Sequence, residues 1–266
     1  MSLSLAWDPL FRVPLATGLL LAIALPLLGA CLRMREQWLS GLGVAQLAAA
    51  GGVIGALLHG PVLLFALLGA ALGGVARALT RTARNEHYAV MLLGGWALVL
   101  LLAKYGHDVN MTAIHLLNGQ LYFTSVPHLL GAALLLIALA VFGHWLARRL
   151  LMARLFPGYF RANRQPAWPH ELVLEALLVG GIVLGISTMG VMATFAMLFI
   201  PPWVAFRLAR GWMRALLLSI LLGVSANLAG FFAALAFDLP FGPALVAMLL
   251  LAVPLRLVRF RIGRPA

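Results

Sequence analysis

Nine apolar runs follow one another along this chain, at roughly 13–32, 39–59, 61–79, 88–105, 128–147, 171–189, 191–206, 215–237 and 243–258, with short polar breaks between them. A bilayer crossing needs about 20 apolar residues. Only helices and closed barrels can satisfy their own backbone in lipid. Continuous runs of this length predict an all-α, polytopic membrane helix bundle with about nine transmembrane segments. A chain that is 64% hydrophobic and 10% charged is not an ordinary soluble domain. The start, M-S-L-S-L-A-W-D-P-L-F-R, has no basic stretch ahead of a small-residue cleavage site, so no cleaved signal is expected.

The placement of charge sets an orientation. The net charge is +12, and the basic residues gather in clusters between the apolar runs. With the amino terminus outside and the carboxy terminus inside, 17 of the 19 lysines and arginines are cytoplasmic, leaving Arg12 and Lys104 outside. The reverse orientation would translocate those 17, against the positive-inside bias. No aromatic-rich basic groove accompanies the clusters, so a nucleic-acid partner is not expected. The single cysteine, Cys31, permits neither an internal disulfide nor a cysteine metal site.

Small residues mark the inner helices: G-L-G-V-A-Q-L-A-A-A-G-G in the second run, G-A-A-L-G-G in the third and G-G-I-V-L-G in the sixth. In lipid such residues let helix backbones approach closely. The seventh run, Gly190 to Arg207, reads G-V-M-A-T-F-A-M-L-F-I-P-P-W-V-A-F-R. Pro201 and Pro202 lack N–H donors and crowd the preceding turn, which predicts a broken helix. Such a break is tolerated in a membrane where neighbouring helices or a polar path re-satisfy the freed carbonyls.

That stretch resembles the G-x-L-L-(x)-A-L-L-I-x-P-x-x-x-A-x-R segment of metal-type ABC transporter permeases, the membrane subunits of zinc and manganese importers. Asn227 to Pro243, N-L-A-G-F-F-A-A-L-A-F-D-L-P-F-G-P, resembles a second family block, with Gly230, Asp238, Pro240, Gly242 and Pro243 at the family spacing. The resemblance implies one permease domain over 1–266, working as a homodimer in the bacterial inner membrane. Its implied partners are two copies of an ABC ATPase, an extracytoplasmic substrate-binding protein and a second copy of the chain. It implies a divalent metal cargo, zinc foremost, moved by alternating access, with a metal chelate or other small solute as the alternative; a membrane scaffold without transport is the remaining class. A permease of this kind holds no ATP site and no resident cofactor.

The same resemblance points to site residues. The cytoplasmic loop 148–170 occupies the place of the coupling loop, and Pro157 to Asn163 the place of its short helix. Proline suits a first helical turn, and Tyr159 and Phe160 are aromatic anchors of the kind that dominate interfaces. Gly158 stands where the family carries an acidic residue. In the second run the family pattern is R-x-M-x-x-x-G-D-x-x-x-H-A, whose aspartate and histidine face the path. Here Arg33 and Met34 match, but neither aspartate nor histidine follows before His59, and Gln46 is the nearest polar side chain. An amide is a weak substitute for the carboxylate and imidazole that a dehydrated divalent cation needs. The metal ligands therefore remain unassigned.

Further path candidates are Asn227, Thr194, Pro201 and Pro202. Asn227 inside an apolar run should face the bundle, either pairing helices or lining the path. Ser187, Thr188 and Thr194 are expected to bond backbone carbonyls of their own helices. His107, Asp108 and His115, in the outer stretch 106–127, are candidates for a vestibule; Leu117-Asn118-Gly119-Gln120 in that stretch resembles the family's L-F-G motif. Glu171, Glu175 and His144 are expected at the interface. Hydrolase signatures are missing: G-I-S-T at Gly185 lacks the closing glycine of a serine elbow, and neither H-E-x-x-H nor G-x-x-x-x-G-K occurs.

Overall fold

The computed structural model describes residues 9–79, 85–156, 158–166 and 168–257. Arg81, Arg84, Pro157, Arg259, Arg261 and Arg264 lie outside them. Among the described residues there is no strand. The chain is a polytopic helical membrane bundle. Its long helices are α1 (Pro9–Met34), α2 (Trp38–Leu57), α3 (Val62–Leu79), α4 (Asn85–Leu102), α6 (Val126–Leu155), α8 (Trp168–Thr188), α9 (Val191–Leu208) and α10 (Trp212–Phe237). Shorter ones are α5 (His107–Asn118), α7 (Tyr159–Ala162) and α11 (Phe241–Leu251). Seven of these have the length and apolarity to cross a membrane; the apolar stretches Val62–Val75 and Phe241–Arg256 are shorter.

Two groups of helices meet. In the first, α2 packs along α3 and α4. In the second, α1 packs against α6, α9 and α10, and α10 against α9 and α11. Helix α8 joins them through α2, α3 and α6. The glycines of the sequence pattern make the first group possible. A Cβ on Gly51 would strike the carbonyl of Phe65, and one on Gly69 the carbonyl of Leu47. Backbones this close gain dispersion and Cα–H···O contacts, which take the place of a hydrophobic drive in lipid.

One expectation is corrected. Helix α9 runs without interruption through Pro201 and Pro202. The polar stretch 106–127 holds α5, with Val109, Ala113 and Leu116 buried, followed by a 3-10 turn at Leu121–Phe123.

Candidate translocation and coupling site

The buried polar side chains divide into two classes. The hydroxyls are satisfied locally: Thr17 donates to Val13 O (2.8 Å), Thr188 to Leu184 O (2.7 Å), Thr194 to Gly190 O (2.7 Å) and Ser219 to Ala215 O (2.7 Å). Thr194 also fills the space over Gly185, so its methyl and hydroxyl serve the contact between α8 and α9. The amides differ. Gln46 and Asn227 are 1% and 0% exposed, and both polar atoms of each lack a hydrogen-bond partner. An unpaired buried amide costs about 1–3 kcal/mol. Among the described residues, Gln46 and Asn227 are the two with both amide atoms unpaired. Gln46 lies about 12 Å along α2 from Trp38, with its backbone against Gly95 of α4. Asn227 lies against Gly18 of α1. The two stand in different groups of helices, and α2 and α10 are not principal neighbours.

The prolines have a local explanation. Pro202 removes the N–H that would bond Leu198 O. That carbonyl is directed at Gly29 of α1, where any Cβ would overlap it. Helix α1 repeats the device. Pro26 leaves Ala22 O without its helical donor, and a Cβ on Gly223 of α10 would come within 2.6 Å of that oxygen. The carbonyls freed by Pro202 and Pro26 are thus each covered by a glycine of the neighbouring helix, where a Cα–H···O contact compensates in part. This is why α9 need not break. A neighbouring helix, rather than a polar path, meets the Leu198 carbonyl.

At one end of the bundle, three backbones converge on glycines. Gly119 (φ +80°) and Gly190 (φ +89°) lie so close that a Cβ on either would strike the other segment, and one on Gly242 would strike Asn118 O. Gln120 N–H donates to Thr188 O at 3.0 Å. This knot explains why the L-N-G-Q segment, Gly190 and the Gly242-Pro243 block carry small residues. Beside it lies a cleft of about 290 Å³ lined by Asn118, Gln120, Tyr122 and Asp238 among others. The Tyr122 hydroxyl donates to Phe231 O (2.9 Å), and burial pushes its pKa up to about 12. His107, Asp108 and His115 are not among the cleft's lining residues. All three sit on α5; His107 and Asp108 are exposed, and His115 is half-buried. Among the described residues no three His, Cys, Asp or Glu side chains come together as a metal cage.

At the opposite end, Phe156 and residues 158–165 are linked by hydrogen bonds around α7. Tyr159 N–H bonds Phe156 O (3.0 Å), Gln165 N–H bonds Phe160 O (2.8 Å), and Asn163 Nδ2 donates to Tyr159 O (2.9 Å). Gly158 (φ +92°) supplies the left-handed residue before the helix. Phe160 is engaged within the chain: it stacks on His170 (4.9 Å), lies 5.5 Å from the Arg149 guanidinium and meets Tyr159 edge-on at 5.5 Å. Tyr159 is therefore the more available of the two anchors. Glu171 and Glu175 pair with Arg35 at 3.5 and 3.9 Å, tying the α1–α2 turn to α8.

A second cleft opens at this side, about 470 Å³ in volume, between the end of α1, the start of α2, the end of α6 and α9. Arg33, Glu36, Trp38, Arg154, Phe199 and Trp203 are among its lining residues. Arg154 donates to Arg33 O (3.2 Å) and Met34 O (3.1 Å) and pairs with Glu36 (3.2 Å). Nothing in the local sequence pointed to this gathering, because its residues come from four separate segments.

The described helices thus form an apolar bundle with buried amides and a cleft at each end. The family profile of the ABC 3 transport family matches residues 8–259, and the chain belongs to that family. It is an ABC transporter permease subunit of the metal type. The fold is similar to a chain of PsaBC from Streptococcus pneumoniae, solved in complex with Fab (TM-score 0.81, 17% identity, 97% of this chain and 94% of that one covered). It is also similar to a transporter assigned to the metal-chelate ABC type, in an inward-facing conformation (TM-score 0.74, 19% identity, 98% and 92% covered). No curated protein matches the chain by sequence.

Proposed function

We propose that this chain is the permease of an ABC importer for a divalent metal, zinc foremost. It works as a homodimer in a bacterial inner membrane, with its amino terminus outside and nine crossings. Two ATPase subunits dock at 148–170, and a binding protein delivers cargo to the outer face. The observation that carries this reading is the family match along almost the whole chain. The permease acts as a gate and selectivity resides in the binding protein, since Gln46, buried on α2, is an amide and a weak ligand for a dehydrated divalent cation. The same amide favours the second reading, a metal chelate that arrives with its ligands. Competition for ATP-driven uptake in the purified complex separates the two. Free zinc and manganese compete under the first reading, and only chelates do under the second.

A further inference from the structure

We propose that the 470 Å³ cleft between α1, α2, α6 and α9 binds an acidic phospholipid of the surrounding bilayer, with the phosphate at Arg33 and one acyl chain along the rings of α9. The inference rests on charge and shape at this cleft and does not depend on the cargo.

Three guanidinium groups gather there. Arg33 and Arg154 line the cleft, and Arg256 lies 3.7 Å over the ring of Trp203, another lining residue. Arg154 and Arg256 are both within electrostatic reach of Arg33. One carboxylate, Glu36, faces this group, and Arg154 takes it together with two backbone carbonyls. Among the described residues Arg33 pairs with no carboxylate; its guanidinium rests 5.4 Å from the Phe206 ring. The cleft thus carries uncompensated positive charge, which repels a divalent cation and attracts a phosphate. Guanidinium groups suit phosphate oxygens because their N–H fork matches that geometry.

The apolar part has the shape of a chain rather than of a soluble anion. Phe195, Phe199 and Trp203 recur one helical turn apart on α9, with neighbouring ring centroids 5.7 and 5.6 Å apart, and Trp38 covers Phe199 at 5.1 Å. The ladder starts at the arginines and climbs α9 towards the hydrocarbon. Its α9 rings are half-buried, and Trp38 is 42% exposed. Basic pockets between helices at the membrane surface bind acidic headgroups, and tryptophan belongs at the same depth. A free phosphate would use the arginines and leave the ladder uncovered.

Native mass spectrometry of the full-length chain in detergent tests this, with phosphatidylglycerol, phosphatidylcholine of the same acyl chains, and inorganic phosphate as probes. Phosphatidylglycerol should be retained at least about fivefold over phosphatidylcholine, the preference one basic residue provides at the headgroup layer. Arg33→Gln should abolish that preference, whereas Arg214→Gln, an exposed arginine outside the cleft, should leave it intact. Glu36→Gln, at a largely exposed side chain, removes the competing carboxylate and should raise retention; it reads out even if Arg33→Gln does not fold. Equal retention of the two lipids, an unchanged preference in Arg33→Gln, unchanged or lower retention in Glu36→Gln, or displacement of the lipid by inorganic phosphate would each overturn the proposal.

Discussion

Replacing Gly29 by alanine tests the packing logic most sharply. The added methyl would overlap Leu198 O, a backbone atom that cannot rotate away, and it would remove the cover from a carbonyl already deprived of its helical donor by Pro202. Overpacking of a tight contact costs about 1–3 kcal/mol, and a backbone obstacle belongs at the upper end. Alanine recovers about 0.5–1 kcal/mol of helix preference over glycine. The expected net loss is therefore about 2 kcal/mol. Gly94 and Gly143 are also helical but have nothing within 4 Å of a built Cβ, so alanine there should be neutral or stabilise by up to about 1 kcal/mol. The gap of about 3 kcal/mol is roughly a hundredfold in the folded-to-unfolded ratio. Reversible unfolding of the isolated chain in mixed micelles, with rising denaturing detergent, reads this gap. Gly223→Ala, beside Ala22 O and Pro26, should fall on the Gly29 side of it. If Gly29→Ala proves as stable as Gly143→Ala, the carbonyl–glycine account of the prolines is wrong.

Three further outcomes follow from named contacts. Tyr159→Ala should weaken association with the ATPase about tenfold while insertion is unchanged, as for a modest interface anchor; Phe160→Ala should additionally loosen the turn, because its ring packs on His170 and Arg149. Full coupling in the double mutant would move the docking surface elsewhere. Tyr122→Phe should cost about 1 kcal/mol through the lost bond to Phe231 O. The raised pKa means that the buried neutral phenol stabilises the fold fully below pH 10, and that this contribution declines as pH rises from 10 towards about 12; the mutant should lack the decline in pH-dependent unfolding. Cysteines placed at Ser2 and Ala266 should be labelled from the outer and inner faces respectively, and an amino terminus closed to outside reagent would reverse the proposed orientation.

The bundle was legible because lipid leaves the backbone so few options: long apolar runs can only be helices, and the runs coincide with α1 to α4, α6 and α8 to α11. The Gly242-Pro243 and Gly230 block was legible through family spacing, and its physical reason emerged only in three dimensions, where Gly242 meets Asn118 O and Gly230 meets Leu245. The continuity of α9 was not legible. Pro202 signals a break locally, and the residue that relieves it, Gly29, lies on another helix far away in sequence. Helix α5 could have been read: Val109, Ala113 and Leu116 recur at helical spacing, a pattern obscured by the polar residues between them. The cleft beside Gly119 was half visible, since Gln120 and Asp238 stood in recognised motifs while His107 and Asp108 drew attention elsewhere. The cleft at Arg33 was invisible because Arg33, Arg154 and Arg256 share no local pattern.

The central claim is that the permease gates a cation without holding it tightly, and zinc uptake by Gln46→Ala tests it most directly. The assay compares wild type and mutant in proteoliposomes with the ATPase and the binding protein present, after confirming that each complex is intact. The account predicts ATP-driven zinc uptake within about threefold of wild type, a change of about 0.6 kcal/mol. Abolished uptake in an intact mutant complex would place Gln46 in the path as an indispensable contact and contradict the account.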